Sequence, residues 1–161
     1  MAVLKLHKYG SPLLREKAMS VCKVDNEVRE LVNNMIETMY AEGGVGLAAP
    51  QVGVLKKIIV IDTEEKGVIV LINPVIIKRE GETKEEEGCL SVPGVYSAVR
   101  RSSAITVEAL DLDENKIRIT QEGFLAIALQ HEIDHLDGYL FIDRLSPAKR
   151  LMIKNQLKGI E

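Results

Sequence analysis

The chain has 161 residues, 46% hydrophobic and 28% charged, enough to bury a core of its own and to expect a single domain over residues 1–161. A net charge of -3 argues against a general nucleic-acid coat and against DNA as a partner. No apolar run reaches bilayer-spanning length, and the opening MAVLKLHKYGSPLLREKA lacks a secretory apolar segment, so a cytoplasmic location without membrane attachment is expected.

Ser11 and Pro12 predict the N-cap and first residue of a short helix, with the Ser11 hydroxyl satisfying a free N–H. From about Asp25 to Ala41, residues Val28, Leu31, Val32, Met35, Ile36 and Met39 recur at helical spacing, and Gly43 and Gly44 stop that helix. The β-branched runs at 57–62, 68–77, 104–111 and 116–120 predict strands of mostly antiparallel sheet, with an edge, bend or bulge at Pro74. KEEEG at 84–88 reads as a solvated loop. Helical character returns from about Glu122 to Leu136, where FLAIAL is apolar on every side and so predicts a buried helix. Ser146 and Pro147 open a last helix carrying Leu151, Met152 and Leu157 among Lys149, Arg150, Lys154 and Lys158.

Two of the three histidines, His131 and His135, lie in LQHEIDHLDG. Four residues advance a helix by roughly 400°, so the two imidazoles share a face and can reach one ion. Glu132 lies roughly 80° around from the midpoint of the pair, a place suited to a base beside an open coordination position. The plainer reading is a helix with two unrelated histidines, but polar groups on a buried helix need partners, and a metal provides them. A catalytic ion needs a third ligand. No histidine follows His135, whereas upstream Cys89 stands beside Gly88, where backbone can approach closely. Taken alone, Cys89 reads as an ordinary buried cysteine; the histidine pair turns the reading toward a ligand. Cys22 and His7 have no such company and are assigned to packing or surface, and Asp134 fits either a hydrogen bond supporting the site or a solvent-facing position. GGVGLAAPQVG at 43–53 reads either as a helix stop and tight turn or as a loop that pairs with an extended peptide while Gln51 meets an oxyanion.

Together, GVGLAAPQ (44–51), EGCLS (87–91) and QHEIDH (130–135) resemble the three motifs of the peptide deformylase family, of bacterial type, in the same order and at similar spacing. The resemblance covers nearly the whole chain and implies a single catalytic domain of α+β fold. In that fold mostly antiparallel sheets surround a buried HExxH-bearing helix, and a C-terminal helix closes the chain. It implies that Cys89, His131 and His135 hold one divalent metal ion per chain, with Fe2+ as the physiological ion and Zn2+, Ni2+ or Co2+ able to occupy purified protein. It further implies that Glu132 is general base and acid, and that Gln51 and the Leu90 N–H form the oxyanion hole. The expected reaction removes the formyl group from the N-terminal formylmethionine of new polypeptides. Many members read V-P-R where this chain reads Val99, Arg100 and Arg101. Val45, Gly46, Gly88, Phe124, Ile127 and Ala128 are the expected substrate-binding positions, and the cationic last helix is a candidate for transient ribosome contact. The alternatives are an HExxH peptidase cutting internal bonds and a non-catalytic domain with a structural Cys/His site.

Overall fold

The computed structural model describes residues 2–64 and 66–160. Along them run strands β1 (Gly46–Ala48), β2 (Ile58–Asp62), β3 (Val68–Glu80), β4 (Thr83–Cys89), β5 (Val92–Arg101), β6 (Ala104–Leu110) and β7 (Lys116–Glu122). The α-helices are α1 (Asn26–Ala41), α2 (Gly123–Leu136) and α3 (Pro147–Lys158). The first five residues to settle the architecture are those of β2. Ile58, Ile59, Val60 and Ile61 are all buried, which requires a strand covered on both faces. Ile58 and Val60 pack with Val28, Val32, Met35 and Met39 of α1. Ile59 and Ile61 face the other way, onto Ala126, Leu129 and Ile133 of α2. The sheet between the two helices runs β1-β2-β3-β6-β7, every pairing antiparallel. A third cluster joins Val92, Val95 and Val99 of β5 to Leu14, Phe141 and Ile153 of α3.

Pro74 lies not at an edge but in β3, between β2 and β6, where the register slips between Ile72 and Val75. Asn73 takes a positive φ of 53° there, and its amide bonds both the N–H and the carbonyl of Val21, at 2.8 and 2.9 Å. The bulge thus ties the N-terminal segment to the sheet.

Three expectations need correction. KEEEG is not a loop: it lies in β4, paired antiparallel with β5, and Glu87 is buried. Its charges hid a strand whose partner supplies the order. Pro12–Arg15 do form a short 3-10 turn, but the Ser11 side chain makes no capping bond; its hydroxyl meets His7 Nδ1 at 3.1 Å. In α2 burial begins only after the first turn, since Phe124 is 67% exposed. In α3 it is Ile153 that is buried, while Leu151 and Met152 stand in solvent. No helix of the described residues is long and apolar enough to cross a membrane.

Candidate metal centre and active site

β4 and β5 form a hairpin whose last pair is Cys89 with Val92, so Leu90 and Ser91 make a two-residue turn. This turn holds the Cys89 thiol against α2. Cys89 Sγ lies 3.4 Å from His135 Nε2, and the Nε2 atoms of His135 and His131 lie 3.3 Å apart. All three ligand atoms fall within 4.8 Å of one another. Tetrahedral bonds of about 2.0–2.3 Å separate ligand atoms by roughly 3.3–3.6 Å, so the Cys89–His135 and His135–His131 pairs have the spacing a small divalent cation requires. Their lone pairs converge with only protons to share. Burial opposes charge on His131, yet its contacts with Cys89 and Glu87 and the charge of Glu132 hold its pKa well above the ordinary imidazole range. His135 is driven well below that range by burial and by the charges of His131 and Arg101. One proton shared by two facing nitrogens is what a metal would replace.

A network fixes the first imidazole from behind. His131 Nδ1 donates to Glu87 Oε1 at 3.0 Å, and Arg101 grips the same carboxylate with Nε and one terminal nitrogen, both at 2.9 Å. The other terminal nitrogen of Arg101 donates to Asp134 at 2.6 Å, and Asp134 also accepts from Arg144 at 2.8 and 3.2 Å. Burial resists ionisation of Glu87, but His131 and Arg101 prevail and lower its pKa. Such a carboxylate orients the ring and selects the tautomer that leaves Nε2 free for metal. Asp134 therefore takes the supporting role, one residue further back. Glu87, Arg101 and Ser91 escaped the sequence reading, because their partners are set by the hairpin and not by local spacing. The E-G-C motif itself contains Glu87, and its place two residues before a ligand was the available signal.

The opposite side of the centre opens into a cleft of about 860 Å³. Val45, Gly46, Gln51, Gly88, Cys89, Leu90, Phe124, Ile127, Ala128, His131 and Glu132 line it, which brings together every predicted site residue except His135, buried beneath. Gln51 sits in a 3-10 turn after β1. Its Oε1 accepts from the Ala48 N–H at 3.0 Å, which fixes the amide's orientation. Its Nε2 then donates to Ser91 Oγ at 3.0 Å and lies 3.6 Å from Cys89 Sγ. Glu132 is buried, Oε1 has no hydrogen-bond partner among the described residues, and burial raises its pKa to about 7. A Cβ on Gly46 would come within 2.7 Å of Glu132 Oε2, so the glycine lets β1 run beside this carboxylate without displacing it.

Comparison with known proteins agrees with this geometry over nearly the full length. The polypeptide deformylase family model matches residues 3–151. The peptide deformylase of Halothermothrix orenii is 56% identical over 146 residues, 90% of this chain and 95% of the relative. That of Thermodesulfovibrio yellowstonii is 48% identical over 162 residues, 98% of each chain. Among solved structures, a peptide deformylase from Legionella pneumophila superposes with a TM-score of 0.93 at 47% identity, covering 98% of this chain and 94% of that one. The peptide deformylase of Synechococcus elongatus in complex with actinonin gives 0.92 at 42% identity, with 98% and 89% covered. The chain belongs to the peptide deformylase family, metal-dependent enzymes that deformylate N-formylmethionine peptides.

Proposed function

We propose that residues 1–161 act as one catalytic domain in the cytoplasm, where Cys89, His131 and His135 hold ferrous iron, Glu132 moves the proton, and Gln51 with the Leu90 N–H meets the oxyanion. The observation that carries this reading is the buried Glu132 carboxylate. Its Oε1 lacks a partner among the described residues inside the cleft, one residue from a ligand, and an unpaired buried oxygen is costly to keep, so its place here points to a functional role. When bound, the metal polarises the formyl carbonyl and acidifies water. Glu132 accepts the proton of the attacking water and returns it to the departing nitrogen. Gln51 Nε2 donates to the carbonyl oxygen as negative charge grows there, from an amide already oriented by Ala48 and Ser91. Glu87 and Arg101 hold His131 still throughout.

The formylmethionyl side chain fits an apolar slot formed by Val45, Phe124, Ile127 and Ala128, while the strand-like backbone at Gly46 and Gly88 is free to pair with the peptide. An Ala128→Trp enzyme should keep its metal and lose activity on formylmethionyl peptides; unchanged kcat/KM would remove Ala128 from the slot.

The decisive assay measures formate released from formyl-Met-Ala-Ser by anaerobically prepared holoenzyme and by metal-loaded Glu132→Ala. Release by the first alone is expected. Equal release by both would take the proton-transfer role from Glu132. Full activity of iron-loaded protein after prolonged aeration would count against iron bound through a thiolate. The cationic α3 is the surface we assign to transient ribosome contact, tested by salt-sensitive cosedimentation.

A further inference from the structure

On the side of α2 away from the metal cleft lies a second, polar cavity of about 430 Å³, lined by Arg79, Gly81, Glu82, Arg100, Arg101, Ser102, Gln130, Asp134 and Arg144. Its floor is built: Arg101 and Gln130 are both more than nine-tenths buried. Gln130 is held on three sides, accepting from the Ser102 N–H at 3.0 Å and donating to the carbonyls of Ser102 and Ala126 at 2.8 and 3.0 Å. Arg101 commits three N–H groups to Glu87 and Asp134, and Arg144 commits two to Asp134; a guanidinium carries more than either number. Arg79 makes only a 3.4 Å contact with the Gln130 oxygen and no ion pair among the described residues. Among the described residues, donors of all three side chains are therefore left without a protein acceptor.

The charges do not balance. Arg100 pairs with Glu82 at the rim, and beside it Lys84 lies opposite in the β4–β5 register, close to Lys149 of α3. Lys149 is held below the ordinary lysine range chiefly by its contact with Lys84, with desolvation and the charges of Lys84 and Arg100 adding to the effect. Neither lysine forms an ion pair among the described residues. Four arginines thus line the pocket with two carboxylates, Glu82 and Asp134, and Lys84 and Lys149 stand beyond the rim. Crowded cations without counter-charge lower their energy by binding an anion, and a cluster of guanidiniums favours oxyanions that accept paired N–H bonds.

We propose that this arginine pocket is a second ligand site, separate from the metal cleft, that binds a phosphate group. Arg79 and Arg144 grip its oxygens from the walls, Ser102 and Gly81 face it, and Arg100 closes the rim. The volume exceeds that of a bare phosphate and leaves space for part of the molecule that carries it. Two sources share this chemistry: a free phosphate or small phosphomonoester seated in the pocket, and one phosphodiester of a nucleic-acid strand that continues over Lys84 and Lys149.

The test uses full-length holoenzyme in chloride buffer, titrated calorimetrically with inorganic phosphate and separately with a short single-stranded RNA, alongside Arg79→Gln and Lys149→Gln. Arg79 is exposed and outside the catalytic machinery, so both the fold and formate release should survive its loss. Saturable phosphate binding that weakens about tenfold in Arg79→Gln and is unchanged in Lys149→Gln supports the pocket with a small ligand. Tighter binding of RNA, weakened by both substitutions, supports the same pocket with a strand as its source. Absence of saturable binding by either probe overturns the proposal. So does binding indifferent to Arg79→Gln, which would place the anion at the metal.

Discussion

Two carboxylates stand two residues apart on α2 and meet opposite treatment. Glu132 looks into the cleft, buried and with one oxygen unpartnered. Asp134 looks away from it, and both its oxygens accept from arginines. Both are carboxylates on the same helix; what differs is the layer each faces. The cleft side leaves a group uncompensated where chemistry needs a proton acceptor, and the arginine side pairs both carboxylate oxygens where the centre needs rigidity. A site of this kind is reactive on one face because its groups are held from the other.

The contrast predicts that cleft-side changes alter rate before stability, and arginine-side changes the reverse. The largest effect should come from Glu132→Gln, lowering kcat by about 10²–10⁴, with bound metal and Tm held near wild type. A fall in Tm to match would make Glu132 structural. Arg101→Leu should come next, leaving Glu87 buried without its guanidinium and Asp134 with Arg144 alone, and costing roughly 3–5 kcal/mol in denaturant unfolding. Unchanged stability would mean that Arg144 alone satisfies the pair. Glu87→Gln should weaken metal affinity by about 10- to 100-fold, read by competition with a chelator, with kcat of the fully loaded enzyme reduced less. The smallest should be Ser91→Ala, which frees Gln51 to rotate: a fall in kcat of roughly tenfold or less, well below the loss of an oxyanion donor itself, with KM unchanged. A shift in KM instead would move Ser91 to substrate binding.

Much of this was legible in the sequence, for identifiable reasons. Helix α1, strands β2, β3, β6 and β7, and helix α2 carry strong periodicity or β-branched runs, and burial follows those patterns. His131, Glu132 and His135 are legible because helical spacing fixes their relation to one another. Strand β1 is three residues long with a glycine, and β4 carries Lys84, Glu85 and Glu86. Neither has the composition of a strand, and each exists because a neighbour pairs with it. β5 holds Pro93 and Gly94, which break its alternation. Glu87 and Arg101 are fourteen residues apart and meet across the hairpin, a relation no local window contains. Where the family pattern has proline before this arginine, the chain has Arg100, which faces Glu82 at the rim of the arginine pocket.

The missing side chain at Gly46 has one more consequence. With β1 running so close, the Glu132 carboxylate is confined between a strand backbone and the helix that bears it, and burial there restricts its torsions. The restriction of its torsions is thus met once, when the chain folds, and need not be met again each time a substrate arrives. Turnover begins from a base whose orientation is already decided, and a glycine with no functional group of its own is what makes that entropy a debt of folding and not of catalysis.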